Sequence, residues 1–253
     1  MIIDTPKQDS IPALRALWQE SFGDTDTFLD TFYATAYAPK RCRCVYADGK
    51  VVAALYWFNC LHEGHRIAYI YAVATAMSHR GRGLCSALMH DTHQHLTDLG
   101  YAGAILVPGS DRLFDFYQRL GYNTSSYISA VKAQASDTSL VIRPIGKSEY
   151  AKLRRRYLPL GGVIQEDENL NFLETQAALY AGDGFVLAAN TAKGELHGVE
   201  LLGKTDAAGA IVSALGCSVG SFRTAGNERR FAMYIPLGDS TLAPPNYFGL
   251  AFD

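Results

Sequence analysis

Residues 73–89 read VATAMSHRGRGLCSALM, and this stretch decides the fold of the chain. It begins as an apolar strand, continues as a tight, basic, glycine-rich turn and ends as the first turns of an amphipathic helix. The backbone N–H groups of such a turn, together with the dipole at the start of a helix, attract an anion. Gly81 and Gly83 let a ligand approach the main chain closely. The stretch therefore predicts a pyrophosphate-binding site.

Two common pyrophosphate sites do not fit the glycine spacing. A dinucleotide site needs Gly-x-Gly-x-x-Gly directly after a strand, and no third glycine stands at the required distance from Gly81 and Gly83. A P-loop needs Gly-Lys followed by Ser or Thr, which does not occur here. The preceding apolar run also follows two other strand candidates, an order typical of antiparallel strands rather than of a β-α-β unit.

The pattern that fits is Arg-x-x-Gly-x-Gly/Ala, which residues 80–85 follow as RGRGLC. Only the last position departs from it, because Cys85 stands where Gly or Ala is usual. This turn resembles the acetyl-CoA-binding turn of the GNAT N-acetyltransferases. The resemblance covers about residues 1–130 through the order helix, helix, three strands, turn, helix, strand, helix, strand.

A second element agrees with this resemblance. Residues 110–122 read SDRLFDFYQRLGY and resemble the later GNAT segment Asn-x-x-Ala-x-x-Phe-Tyr-x-x-x-Gly-Phe. Phe116, Tyr117 and Gly121 match it. Ser110 replaces the Asn and Leu113 replaces the Ala.

The resemblance implies where acetyl-CoA binds. The strands before and after the long helix splay apart, and the pantetheine lies between them, paired with the backbone of residues 73–77. The pyrophosphate meets the N–H groups of residues 81–86, and an amide near Ala74 or Thr75 polarises the thioester carbonyl. The implied cofactor-binding residues are Val73, Ala74, Thr75, Arg80, Gly81, Arg82, Gly83, Leu84, Cys85, Ser86, Ser110 and Tyr117.

The implied reaction is attack of an amine on that carbonyl. An amine with a pKa of about 10.4 is neutral in only about one molecule in 10³ at pH 7, so a base or a water relay must take a proton. The leaving thiolate comes from a thiol with a pKa of about 8.5, and a tyrosine with a pKa of about 10 can protonate it. Tyr117 is the predicted general acid.

The general base is harder to predict. Many GNAT proteins carry a glutamate on the strand before the turn, but residues 67–73 contain no carboxylate. Glu63, His62 and His65 lie just upstream. Tandem-module GNAT proteins that acetylate aminoglycosides bring their C-terminal carboxylate into the active site, so we hypothesise that Asp253 reaches the acceptor cleft of the first module. The alternative is a final strand that completes the sheet of the second domain.

The domain organisation predicted from the sequence is a tandem one. The polar segment of residues 134–140 is the best boundary, and FLDT at 28–31 is echoed by FLET at 172–175. We predict an α/β (α+β) GNAT fold with a mixed central sheet and flanking helices over residues 1–133. A second, smaller, degenerate GNAT-like domain follows over residues 141–253. It has no counterpart of the glycine-rich turn, so we expect one cofactor per chain.

Composition excludes several function classes. The formal net charge of -2 disfavours a general nucleic-acid binder. Five scattered cysteines argue against a disulfide framework and for a reducing compartment, and no apolar run is long enough to span a bilayer, so we expect a cytoplasmic protein. We predict no metal site, although three histidines and two cysteines lie close together in sequence. These are His90, His93 and His95 in one segment, and Cys42 and Cys44 in another.

The expected function is therefore transfer of acetyl from acetyl-CoA to a primary amine of a small molecule or peptide. The alternatives are a non-catalytic acyl-CoA-binding regulatory module and an enzyme that transfers a longer acyl group. The acceptor has no sequence code. An acidic cleft made by Asp24, Asp26 and Asp30 would suit a polyamine or an aminoglycoside, and a solvated helix start explains these residues equally well. The oligomeric state is left open, with a homodimer as one alternative.

Overall fold

The computed structural model describes residues 1–252 and divides into two compact units. The first unit comprises Met1–Asn123 and Met233–Pro244, and the second comprises Thr124–Ala232 and the chain from Pro245 onward. Asp253 lies outside the described residues. None of the helices in residues 1–252 is both long and apolar enough to cross a bilayer.

Helices and strands alternate in both units. The helices are α1 Ile11–Phe22, α2 Asp26–Thr35, α3 Leu84–Asp98, α4 Asp111–Arg119, α5 Lys147–Tyr157, α6 Glu168–Gln176 and α7 Ala208–Ala214. The strands are β1 Ile2–Asp4, β2 Cys42–Ala47, β3 Lys50–His62, β4 His65–Thr75, β5 Gly103–Leu106, β6 Asn123–Gln134, β7 Ile142–Pro144, β8 Ile164–Gln165, β9 Ala178–Gly182, β10 Phe185–Ala192, β11 Glu195–Gly203, β12 Val219–Ala225 and β13 Arg229–Pro236.

The sheet of the first unit has the strand order β1-β2-β3-β4-β5-β13. All neighbours are antiparallel except the pair β4 and β5, which is parallel because α3 connects them. This mixed sheet with flanking helices confirms the predicted fold class.

The first two helices of the first unit have local sequence features that favour helix formation. Leu14, Leu17 and Trp18 share the buried face of α1. The helix ends at Gly23, whose left-handed φ of 75° suits a residue without a Cβ. The next helix, α2, starts at a Thr25 cap whose hydroxyl accepts a hydrogen bond from the N–H of Phe28.

The strands β4 and β5 part after a short stretch of pairing. Their register pairs run only from Ile67 opposite Gly103 to Tyr69 opposite Ile105, whereas β4 continues to Thr75. The second half of β4 therefore borders a gap on the side where β5 would otherwise pair. We call this gap the wedge of the first unit.

A β-bulge lies in β4 beside this wedge. Ala54 of β3 pairs with Ala74, and Tyr56 pairs with Tyr71, so β4 carries one residue more than β3 over this interval. Ala72 within the bulge has a φ of 47°, an uncommon conformation for a residue with a side chain. Because a bulge bends its strand, it accounts for the departure of β4 from β5.

The second unit repeats the strand order of the first. Its sheet runs β7-β9-β10-β11-β12-β6, again with a single parallel pair, here β11 and β12. Position by position, β7 corresponds to β1, β11 to β4 and β12 to β5.

The two units do not divide the chain at the predicted boundary. The predicted domains were residues 1–133 and 141–253, but β6 pairs with β12 from Ile128 to Gln134 and so belongs to the second unit. Residues 233–236 of β13 pair with β5 instead and belong to the first unit. Each sheet thus takes its last strand from the far side of the predicted boundary.

Candidate active site

The predicted pantetheine-binding backbone lies along the wedge of the first unit. Val73, Ala74 and Thr75 form the end of β4, past its last pair with β5. Ala74 is buried, whereas Val73 and Thr75 are partly exposed. An extended ligand running beside them would meet strand backbone on its edge, as an added β-strand does.

The glycine-rich turn follows directly and is open to solvent. Gly81 and Gly83 both have a φ of 74°, and a Cβ added to either would meet no atom within 4 Å. The guanidinium Nε of Arg80 donates to the carbonyl of Thr75 at 3.0 Å, and Arg82 donates to the carbonyl of Ser78 at 3.1 Å. The two arginines therefore brace the turn while their charges remain beside it.

The start of α3 offers uncapped N–H groups. No side chain caps this helix at Gly83, and its first helical hydrogen bond runs from the N–H of Ala87 to the carbonyl of Gly83. The N–H groups of Leu84, Cys85 and Ser86 precede that bond and have no intrahelical acceptor. Together with the positive end of the helix dipole and the two arginines, they make this end of α3 electropositive and rich in hydrogen-bond donors.

One apolar cluster joins the turn to α4. Tyr117 and Leu88 are buried members of it, and Val73, Leu84 and Cys85 pack against it. The structure therefore brings together residues from β4, from the start of α3 and from α4 that the sequence separates by more than forty positions. Burial raises the pKa of the Cys85 thiol to about 11, which keeps this thiol neutral at physiological pH.

Tyr117 is buried but its hydroxyl is not committed to a partner. Only 7% of the residue is exposed, and its hydroxyl makes no hydrogen bond within residues 1–252. Burial, and next to it the Cys85 thiol, raises the pKa of Tyr117 well above its ordinary value. The phenol is therefore protonated throughout the physiological range and is available as a hydrogen-bond donor.

Ser110 and the upstream base candidates do not join this cluster. Ser110 is exposed and precedes α4 without capping it. His62, Glu63 and His65 surround the turn between β3 and β4, and His62 is buried with its Nε2–H donating to the carbonyl of Ala243. At about 3.3 Å per strand residue, this turn lies roughly 30 Å from the end of β4.

The acidic residues near α2 are already paired. Asp24 accepts a hydrogen bond from the Trp18 indole at 2.7 Å. Arg15 forms ion pairs with Asp26 at 3.1 Å and with Asp30 at 2.8 Å. These carboxylates stabilise the start of α2 and neutralise a neighbouring cation, which favours the structural explanation over an acidic cleft.

An aromatic cluster that the sequence did not single out lies between α1, α2 and the sheet. The Trp18 ring lies 4.7 Å from the Phe32 ring, 5.1 Å from the Tyr56 ring and 5.6 Å from the Tyr71 ring, measured between centroids. Tyr71 is partly exposed and directly precedes the bulge at Ala72. The sequence contains 15 Tyr and 12 Phe, but this composition does not predict which of the rings are in contact.

The histidines and cysteines discussed as metal ligands have other partners. His93 Nε2 lies 2.8 Å from the Tyr122 hydroxyl, and the Cys44 thiol donates to the carbonyl of Asp4. All five cysteines are free thiols. Within residues 1–252, no group of three or more His, Cys, Asp or Glu side chains is arranged to hold a metal ion.

The second predicted catalytic residue, Asp253, lies outside the described residues. The bulge residue Ala72 and the carboxylate of Glu20 are two features that sequence reasoning missed. Glu20 accepts a hydrogen bond from the N–H of Met77 at 3.0 Å and so ties α1 to the segment before the turn. No local pattern signals either feature, because both depend on pairing between segments distant in sequence.

Comparison with known proteins agrees with this geometry. A family model for the acetyltransferase (GNAT) domain matches residues 3–125. Among the curated proteins, none matches the chain. A solved GCN5-related N-acetyltransferase from Kribbella flavida superposes with a TM-score of 0.70 at 18% identity, covering 92% of this chain and 71% of that one.

Two further solved structures are similar in fold. A protein from Enterococcus faecalis described as a probable N-acyltransferase has a TM-score of 0.73 at 16% identity, covering 93% of this chain and 72% of that one. A tandem GNAT protein from the clavulanic acid biosynthesis pathway has a TM-score of 0.58 at 11% identity, covering 94% of this chain and 100% of that one. With the mixed sheet, the wedge and the uncapped helix start, these comparisons lead to one conclusion: residues 3–125 form a domain of the GNAT acetyltransferase family.

Proposed function

We propose that this protein transfers acetyl from acetyl-CoA to a primary amine of a small molecule or peptide. The observation that carries the proposal is the open turn of two left-handed glycines leading into the uncapped start of α3, at the end of the wedge. This arrangement supports binding of a pyrophosphate at the turn with an extended chain continuing along β4. A CoA thioester has both parts.

The cofactor would be held mainly by backbone. Pantetheine amides would pair with the free edge of residues 73–77, and the pyrophosphate oxygens would accept hydrogen bonds from the N–H groups of residues 83–86. A backbone amide near Ala74 or Thr75 would stabilise the oxyanion that develops on the thioester carbonyl. The positive charges of Arg80 and Arg82 add attraction for the phosphates.

Tyr117 would act on the leaving sulfur. As the amine nitrogen forms its bond to the carbonyl carbon and the C–S bond breaks, negative charge develops on sulfur. The protonated Tyr117 phenol would donate to that sulfur, while the attacking nitrogen loses its proton to a base or to water. The raised pKa keeps the phenol protonated, so that it donates a hydrogen bond to the developing thiolate, while burial makes it a weaker acid than a free tyrosine.

The first test is binding and turnover measured together. Isothermal titration with acetyl-CoA and a thiol-release assay over a panel of primary amines should show micromolar binding and release of CoA with at least one amine. Binding without release on any amine would instead favour the alternative of a non-catalytic acyl-CoA-binding regulatory module. Absence of binding would overturn both readings.

Replacing Tyr117 with Phe should lower turnover at least tenfold with little change in the affinity for acetyl-CoA, because only the proton donor is lost. The measurement is steady-state kinetics with the best amine of the panel. Tyr122→Phe is the matched control, since it removes a hydroxyl of the same cluster that is bonded to His93. If Tyr117→Phe keeps full turnover, Tyr117 has no role in the mechanism.

Asp253 remains our proposed base, through its α-carboxylate or its side chain. The test variant removes Asp253 alone. It keeps Phe252, whose ring packs against the Phe172 ring with centroids 5.0 Å apart. We expect this deletion to lower kcat at least tenfold and to leave acetyl-CoA binding unchanged. Full activity in the folded, shortened chain would exclude Asp253.

A further inference from the structure

The second unit has a wedge of its own. The parallel pairing of β11 with β12 ends where Gly198 faces Phe222, although both strands continue. The register between β10 and β11 shifts just there, leaving Val199 as an extra residue. A bulge beside a parting parallel pair is the arrangement already seen at Ala72 in the first unit.

The C-terminal segment of the chain is attached to both parting strands just past their last pair. On β12, Arg223 Nη1 donates to the carbonyls of Gly249 at 3.1 Å and Ala251 at 3.3 Å. On β11, Glu200 accepts a hydrogen bond from the hydroxyl of Tyr247 at 3.0 Å. The segment therefore bridges the mouth of this second wedge.

The segment is recognised chiefly through its main-chain carbonyls. The carbonyl of Tyr247 accepts from the N–H of Val163 at 2.9 Å, and that of Leu250 accepts from the Gln165 amide at 2.6 Å. With Arg223 bound to two more, the carbonyls of Tyr247, Gly249, Leu250 and Ala251 all have protein donors. These bonds fix the path of the main chain of the segment.

Burial of apolar side chains and tight packing around Gly249 also hold the segment in place. Tyr247, Phe248, Leu250 and Ala251 are each 2% exposed or less. A Cβ on Gly249 would overlap the Glu200 carboxylate and the Tyr247 hydroxyl, so only glycine fits there.

The Glu200 carboxylate, which binds the segment from β11, is itself held in place. Arg154 forms a bidentate ion pair with Glu200, at 2.6 and 3.0 Å, and the Tyr150 hydroxyl donates to the same carboxylate. Both charged groups are almost fully buried. A buried carboxylate needs hydrogen-bonding partners, and here they also hold it rigid towards the peptide.

We infer that the second unit is a peptide-binding module, and that its ligand is an apolar peptide supplied by the chain itself as residues 245–252. This segment bridges the mouth of the wedge of the second unit. The inference goes beyond the proposed transferase activity and does not depend on it, because it concerns the second unit alone.

Hydrogen exchange followed by mass spectrometry on the full chain tests this inference. Residues 247–251 should be protected in the wild type, and Gly249→Ala should speed their exchange at least tenfold because the added Cβ displaces the segment. Gly146→Ala is the matched control in the same unit, since its Cβ would meet nothing within 4 Å. A wild-type segment that exchanges as fast as an unfolded peptide would overturn the inference, and so would equal protection in Gly249→Ala.

A labelled synthetic peptide of residues 245–253 provides the second arm. It should bind the Gly249→Ala chain, whose groove is vacated, and should not bind the wild type, whose groove is filled. Adding Arg223→Ala to Gly249→Ala should weaken that binding at least tenfold. If Gly249→Ala does not fold, Arg223→Ala alone should still release the segment in the exchange experiment, because it adds no atoms. The inference would be contradicted if the peptide did not bind the Gly249→Ala chain. It would also be contradicted if residues 247–251 stayed fully protected from exchange in Arg223→Ala.

Discussion

At the scale of single residues, Gly81 and Gly83 hold the turn in a conformation that side chains disfavour. Both have a φ of 74° and face open space, so the constraint is backbone strain rather than a lack of room. A residue with a Cβ in the left-handed region costs about 1–2 kcal/mol. The turn relieves that strain only by moving its N–H groups, which are the proposed phosphate donors.

Gly83→Ala should therefore weaken acetyl-CoA binding at least fivefold, measured by isothermal titration. Gly23→Ala is the matched control, because Gly23 also has a left-handed φ, of 75°, faces open space and ends a helix. Both variants should lose a similar free energy of unfolding, while only Gly83→Ala changes the affinity. Equal affinities in the two variants would contradict the anion-site assignment.

His93 makes the stability of the protein pH-dependent. Burial, and next to it the nearby His90, lowers the pKa of His93 to about 4 from an ordinary value of 6.5. Below pH 6.5 the unfolded chain gains a proton that the folded chain does not, so stability falls as the pH drops from 6.5 towards 4.

Urea unfolding of the wild type and of His93→Gln at pH 7 and pH 5 measures this effect. Between these pH values the wild type should lose about 2 kcal/mol more unfolding free energy than the variant, from about 1.4 kcal/mol per pKa unit over the interval below 6.5. Glutamine can still hydrogen-bond to the hydroxyl of Tyr122, so the variant keeps this hydrogen bond at pH 7 and lacks only the titrating group. Parallel losses in both proteins would mean that His93 titrates normally.

The residues of the turn were predictable because their signal is local. The glycines, the arginines and the helix start lie within residues 80–89, and their spacing alone indicates an anion site. The roles of Asp24 and Asp26 were not predictable, because each depends on a partner, Trp18 or Arg15, that only the packing of α1 against α2 brings close.

At the scale of elements, α3 was predictable from its own residues, whereas the pairing of β6 depends on a strand that is distant in sequence. The sequence predicts a helix over residues 84–99, and α3 runs Leu84–Asp98, because helical periodicity and a terminal glycine are properties of the segment itself. The element order of the resemblance likewise predicts a strand near β6. It does not indicate the neighbour of that strand, since pairing is decided by β12, about ninety residues later.

The strand β13 is the element on which the first unit depends. Its residues Met233 to Pro236 pair with β5, and Met233 and Leu237 are buried in the apolar cluster that contains Tyr117. Without this strand, the edge of β5 loses its hydrogen bonds and the cluster loses part of its cover.

A chain ending at residue 133, the predicted first domain, should therefore fail to show a cooperative thermal unfolding transition. Joining residues 229–244 to that chain through a flexible linker should restore the transition, because it returns β13 to β5. The measurement is circular dichroism during heating. A cooperative transition in the short chain alone would show that β13 is dispensable.

At the scale of the whole molecule, the two units share a strand order but differ at the turn before the connecting helix. The turn of the first unit is open at Gly81 and Gly83. In the second unit, residues 204–207 connect β11 to α7 and contain no glycine. That β13 pairs with β5 was not predictable, because no local signal links segments so far apart in sequence.

This difference predicts one cofactor per chain. The second unit lacks an open glycine turn, and residues 247–251 are attached to both of its parting strands. Isothermal titration of acetyl-CoA into the full chain should give a stoichiometry of one. Two equivalents would show that the second unit binds the cofactor as well.

The most direct test of the account is a crystal structure of the protein with acetyl-CoA bound. The account predicts pyrophosphate oxygens within about 3.2 Å of the N–H nitrogens of residues 83–86. It also predicts the pantetheine along residues 73–77 of β4 and the sulfur within reach of the Tyr117 hydroxyl. A pyrophosphate bound away from the start of α3, or a sulfur remote from Tyr117, would contradict it.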